Sequence, residues 1–163
     1  MTDDLQLYEL YFRKSKEYYI DKLTKYKNGQ KFTFNVFAFL FGLFWFVYRK
    51  MYIQALLILL AIIGEGFIEQ LILANNVDEN TSKTINIIST IAIATITGIL
   101  GNNLYIKQAE KSIALAKTKY KDNEQLEKAI KRKGGVSYIL LILVVLTIII
   151  FFVYNNYLTK NGS

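Results

Sequence analysis

The chain has 163 residues, enough for one domain, and 53% of them are hydrophobic although 33 are charged, 20 basic and 13 acidic. It contains no Cys and no His, which excludes disulfides, thiol catalysis, imidazole acid–base chemistry and His/Cys metal sites. The charge is segregated: residues 53–63, 87–100 and 138–153 carry none, and 1–31 and 106–133 hold most of it.

Residues 3–27 read as an amphipathic helix. Tyr8, Phe12, Ser15, Tyr19, Leu23 and Tyr26 recur at steps of three and four and so share one face. Asn28-Gly29 is a stop signal. The Tyr-rich face suits either an anionic membrane surface or packing on another helix. Residues 1–31 lack the basic-then-apolar pattern of a leader, so the hydrophobic segments are expected to be permanent.

Residues 32–52, FTFNVFAFLFGLFWFVYRKMY, hold seven Phe, the only Trp and two Tyr around one Gly. The 13 residues 36–48 between Asn35 and Arg49 are few for a membrane span, which needs about 20. Transmembrane helices are expected at 51–74, 85–105 and 136–157. Apolar residues Ile106, Ala109, Ile113, Ala116 and Tyr120 carry the second helix onward through a charged run. Asp122 can cap a following helix at 123–133, which Gly134-Gly135 ends. The region 106–133 is thus expected to be a cytoplasmic helical hairpin, with helix 3–27 as its packing partner.

Lys and Arg set the orientation. Seven lie in 1–35, two at Arg49-Lys50 and nine in 106–135, against Lys83 and Lys160 alone in the connector 75–84 and the tail. Three crossings put 18 on one side and 2 on the other, so the rule that basic loops stay cytoplasmic gives N-in, C-out. That requires 36–48 to be re-entrant or interfacial, a wedge in the cytoplasmic leaflet with Arg49 and Lys50 at the phosphates. Tyr105, Tyr138, Tyr154 and Tyr157 fall at span ends, where amphipathic rings favour the interface. The expected fold is therefore an all-α integral membrane protein: three transmembrane helices, an aromatic re-entrant or interfacial helix, an N-terminal amphipathic helix and a cytoplasmic helical hairpin.

Phe34-Asn35, Ala38-Phe39, Gly42, Phe44-Trp45, Tyr48-Arg49-Lys50-Met51-Tyr52, Gly101-Asn102, Tyr105 and Glu110 together resemble the bacterial inner-membrane family catalogued as domain of unknown function 2628, over roughly residues 17–115. The family commonly shows Trp-Ala after the Asn, where this chain has Val36-Phe37, and Pro after the Gly, where it has Leu43. Without the kink that Pro imposes, a straight interfacial helix gains ground for 36–48. The resemblance implies a small multi-pass protein of a bacterial inner membrane and no activity.

Glu65 and Glu69 are the acidic residues inside an expected span, four apart on one face and beside Gly64 and Gly66. Intramembrane carboxylates often mark ion or proton paths. The plainer reading pairs Glu65 with Ser89 or Thr90 of the second span and leaves Glu69 to reach water. Thr90, Ala94, Thr97, Gly98 and Gly101 form a small-residue face, expected to pack on the first or third span. Arg49, Lys50, Lys131, Arg132 and Lys133 are candidate contacts for anionic lipid headgroups, although topology alone accounts for basic residues there. No recognition motif for nucleic acid, no phosphate loop and no nucleophile–base pair accompanies them, so neither catalytic residues nor a cofactor is nominated.

The functional expectation is a non-enzymatic anchoring, scaffold or regulatory module whose partners are the bilayer and either another copy or another membrane protein. The alternative is an oligomeric channel or transporter using Glu65.

Overall fold

A computed structural model of the chain describes residues 2–73, 78–139, 142–143, 146–147 and 149–152. Among them every regular element is helical: α1 (Thr2–Phe12), a 3-10 turn (Arg13–Ser15), α2 (Lys16–Lys27), α3 (Val36–Phe41), α4 (Leu43–Tyr48), α5 (Tyr52–Leu73), α6 (Glu79–Lys119) and α7 (Asn123–Lys133). Of the expected third span, 136–157, residues 140–141, 144–145, 148 and 153–157 lie outside the described residues; those described in 139–152 are helical.

Helix α6 is the axis of the molecule. Its 41 residues extend for about 62 Å at 1.5 Å per residue. Asp78 starts it by accepting from Thr81 N at 3.0 Å. Its C-terminal half, with α1, α2 and α7, forms a helical head. Its N-terminal half pairs with α5 as two apolar legs, and these two helices are long and apolar enough to cross a membrane. The legs expose Leu56, Leu57, Leu60, Ile63 and Phe67 on α5 and Ile87, Ile88, Ile91 and Ile96 on α6.

The head buries the apolar face read from the sequence: Tyr8, Phe12, Tyr19 and Leu23 pack with Ile106, Ala109, Ile113 and Ala116 of α6 and Ile130 of α7. Helix α7 is capped by Asp122, which accepts from Gln125 N at 2.9 Å, and ends at Gly134, as expected. Helix 3–27 is not continuous. Arg13 adopts a positive φ of 53°, which splits it into α1 and α2. The split frees the Tyr11 carbonyl to accept from Gly135 N at 2.7 Å. Gly134 lies so close to Tyr11 that a Cβ would collide with that carbonyl. Tertiary packing of the segment after α7 thus accompanies a break that helical periodicity does not signal.

The aromatic stretch is also divided. Gly42, with φ 44° and ψ −122°, joins α3 to α4. No Cβ would meet an atom there, so the backbone angle alone calls for Gly. The bend is present without Pro, which corrects the expectation of a straight helix. Phe37, Leu40, Phe41 and Phe44 are exposed around it, whereas Ala38, Trp45 and Phe46 are buried.

Candidate functional site

Both ends of the bent aromatic segment are pinned to α6. Asn35 lies within hydrogen-bonding distance of Asn102, and the Lys50 carbonyl accepts from Gln108 Nε2 at 3.3 Å. Those two α6 positions are six residues apart, about 9 Å along the axis. A segment whose ends lie that close, bent at Gly42, folds back on itself as a short wedge.

The first anchor is a buried polar cluster. Asn35 Nδ2 donates to Asn102 Oδ1 at 2.7 Å, and Asn35 Oδ1 accepts from Ala38 N at 2.9 Å, which caps α3. Asn35 N donates to the Gly98 carbonyl at 2.8 Å. Asn102 Nδ2 donates to the Tyr18 hydroxyl and to Thr33 Oγ1, both at 3.0 Å. Asn103 Nδ2 donates to the Lys31 carbonyl at 2.9 Å and Thr97 Oγ1 to the Ala38 carbonyl at 3.1 Å. Burial makes each of these bonds count, because an unpaired amide there would keep its full desolvation cost. The small face of α6 is what allows the approach: a Cβ on Gly101 would stand 2.8 Å from Ala38 Cβ, and one on Gly98 would meet the Phe34 ring at the same distance. Thr97, Gly98 and Gly101 therefore receive the aromatic wedge, where packing on the first or third span was expected; Thr90, on the same helix, is exposed.

The second anchor is Arg49. It is 7% exposed, with its guanidinium turned into the head, in contrast to the expected place at lipid phosphates. The guanidinium carbon lies 4.7 Å from the Tyr19 ring centroid, 5.3 Å from Tyr105 and 5.6 Å from Tyr48. Nη2 donates to Ser15 Oγ at 3.1 Å, whereas Nε and Nη1 have no hydrogen-bond partner among the described residues. The ring faces supply the compensating electrostatics. Tyr105, expected at a membrane interface, is fully buried and touches Tyr11, Phe12, Tyr19 and Trp45 with ring centroids 4.7–6.1 Å away.

The other nominated residues fall into two places. Lys50, Arg132 and Lys133 come together where α7 ends against the start of α5. Lys50 has a positive φ of 59° and its ammonium donates to the Arg132 carbonyl at 3.0 Å and the Gly134 carbonyl at 2.8 Å, closing the C-terminal end of α7. Burial, and then the charge of Arg13, pull its pKa below the usual lysine value. Lys131 turns aside to Glu127 at 3.0 Å. At the far end of the legs, Glu69 accepts from Ser82 Oγ at 3.2 Å and from Asn86 Nδ2 at 3.0 Å, tying α5 to α6. Glu65 makes no hydrogen bond or ion pair among the described residues, and neither Ser89 nor Thr90 bonds to it. Asn35 enters the sequence analysis only as a boundary and as part of the family resemblance; its capping role has a local signal there, since an Asn just before an apolar helical run is an ordinary start signal.

These features define an all-helical protein with a charged head, two long apolar legs and an aromatic wedge clamped between them. The chain belongs to the family described as a protein of unknown function, DUF2628, whose model matches residues 9–111. That range takes in the whole clamp, from Tyr18 and Asn35 to Asn102 and Tyr105, together with Arg49. Comparison with curated proteins and with solved structures returned no match.

Proposed function

We propose that this is a multi-pass anchoring module of a bacterial inner membrane, non-enzymatic, with its helical head in the cytoplasm and its C-terminus outside. The observation that carries the reading is the division of exposed surface. The legs and wedge expose large apolar side chains over a length suited to a bilayer, while the head, apart from Leu5, Tyr18 and Leu115, keeps its large apolar side chains at least partly buried behind a charged exterior. The distribution of Lys and Arg supports the orientation. The wedge then dips into the cytoplasmic leaflet, with its buried clamp holding both ends at one level. The head supplies the face for a scaffold or regulatory partner, either another membrane protein or a second copy.

The absence of Cys makes the test direct. Single Cys residues replace Lys50, Lys83 and Lys121, and an impermeant reagent is applied from each side. Position 83 reacts from outside and position 121 from inside; cytoplasmic labelling at 83 would overturn the topology. Capture of a defined partner that is lost when the surface of 106–133 is altered supports the scaffold role. The channel reading rests on Glu65, which lacks a partner among the described residues; ion flux in proteoliposomes that Glu65→Gln abolishes would favour it over anchoring.

A further inference from the structure

A groove of about 630 Å³ opens between the start of α5, the middle of α6 and the end of α7. Five of its lining side chains are cationic, Lys50, Lys107, Lys111, Arg132 and Lys133, and none of its described lining residues is acidic. Elsewhere on the same helices Lys117 pairs with Asp4, Lys128 with Glu124 and Lys131 with Glu127, and Lys119 lies over the Tyr120 ring. Lys107, Lys111, Arg132 and Lys133 have no such partner among the described residues, and all four are exposed. Lys107 and Lys111 stand four apart on one helix face, an arrangement that costs energy unless an anion lies between them.

The groove's mouth identifies the kind of anion. Tyr52 and Ile53 of α5 line it and are exposed, Ile53 to 74%. From Ile53 an apolar track of Leu56, Leu57 and Leu60 runs along one face of α5, all of it exposed. A charged cup that opens onto an apolar helix face matches an amphiphile with an anionic head. A soluble anion would have no use for the track.

We propose that this groove binds the phosphate-bearing headgroup of an anionic phospholipid, with its acyl chains laid along Ile53, Leu56, Leu57 and Leu60. Lys107, Lys111, Arg132 and Lys133 contact the phosphate. Lys50 is a positioning residue, because its ammonium holds the α7 carbonyls that set the place of Arg132 and Lys133. The inference rests on the membrane reading above.

The test uses the full chain, purified in nonionic detergent and stripped of lipid, after carbonate extraction has established that it is an integral membrane protein. Extraction into the soluble fraction overturns the membrane reading itself; an integral protein without lipid preference overturns the groove alone. Binding is followed by thermal stabilisation on titration with phosphatidylglycerol, phosphatidylcholine, glycerol phosphate or inorganic phosphate. Phosphatidylglycerol is expected to bind at least about tenfold more tightly than phosphatidylcholine, and the variant K107Q/K111Q/R132Q/K133Q to lose that preference. The variant K27Q/K31Q/K119Q/K121Q, with as many charges removed elsewhere on the head, is expected to keep it. Equal loss in both variants, no preference in the native chain, or an equal effect of inorganic phosphate would each overturn the proposal. Should the first variant fail to fold, K107Q/K111Q, confined to the exposed face of α6, is expected to weaken the preference several-fold, and an unchanged preference there counts against the groove.

Discussion

Asn35 and Asn102, 67 positions apart, share a 2.7 Å hydrogen bond inside the protein, and the same Asn35 side chain caps α3. One residue thus starts the aromatic wedge and fixes it to α6. Asn35→Ala removes the cap, worth about 1 kcal/mol, and leaves Asn102 Oδ1 with only the 3.4 Å Tyr18 contact, so the expected loss is about 2–4 kcal/mol. Asn35→Asp keeps the cap acceptor but sets a carboxylate against the Asn102 oxygen, and it is expected to melt well below the native chain at neutral pH. Thermal unfolding in detergent measures both; a native-like transition in Asn35→Ala would mean that the clamp holds little.

Gly42 and Gly101 are both needed, for different reasons. Gly42→Ala meets open space and suffers only the backbone strain of φ 44° with ψ −122°, an expected cost of about 1–3 kcal/mol. Gly101→Ala improves helix propensity yet drives a methyl against Ala38 Cβ, with an expected net cost of about 1–3 kcal/mol. The pair Gly101→Ala and Ala38→Gly should therefore be coupled, the second change recovering part of what the first loses. A double-mutant cycle on unfolding reads this directly. Strict additivity would show that the contact has slack.

Much of this architecture is legible in the sequence because it is local. The Asp122 cap and the Gly134 stop frame α7, and the three–four spacing of Tyr8, Phe12, Tyr19 and Leu23 marks the face that the head buries. What escapes is set by contacts distant in the chain. The break at Arg13 accompanies packing against Gly134 and Gly135, more than 120 positions away, and no Gly or Pro announces it. Arg49 and Tyr105 look like interface residues because Arg and Tyr so often are; only the folded chain reveals that they stack on each other with Tyr19. The small face around Gly101 is readable, but the identity of its occupant is not, since any neighbouring helix would use it equally well. For the same reason the gathering of Lys50 with Lys107 and Arg132 has no counterpart in linear spacing.

The tyrosines of the head give the fold an alkaline limit. Burial pushes Tyr19 up to about 12, and desolvation followed by the charges of Glu110 and Asp4 does the same for Tyr8. Burial also raises Tyr11. Unfolded phenols titrate near pH 10, so above that the unfolded chain holds fewer protons than the folded one. The stability linked to these groups is fully present below about pH 10 and is lost as pH rises towards 12. Phenolate absorbance is expected to rise in two stages, the second coinciding with loss of helical circular dichroism. A single stage for all 12 tyrosines with the fold intact would contradict the burial of this cluster.

Arg49 separates what the head needs from charge and what it needs from shape. Its guanidinium lies against three tyrosine rings and has one hydrogen bond, to Ser15, with no carboxylate partner among the described residues. A buried cation without a counterion retains much of its desolvation cost, and the flat, weakly hydrated guanidinium offsets that cost by stacking. Arg49→Lys keeps the charge but concentrates it on a strongly hydrated ammonium that cannot lie flat on several rings; a loss of about 2–4 kcal/mol is expected. Arg49→Met keeps a long apolar side chain and removes the desolvation cost, while giving up stacking worth about 2 kcal/mol. Met is therefore expected to be better tolerated than Lys, the reverse of the order that charge conservation suggests. Unfolding of the two variants in the same detergent, with near-ultraviolet circular dichroism to report on the packing of Tyr19, Tyr48 and Tyr105, decides between them. A native-like Lys variant beside a collapsed Met variant would mean that the cluster depends on the positive charge itself, and that the planar stack over the rings is incidental.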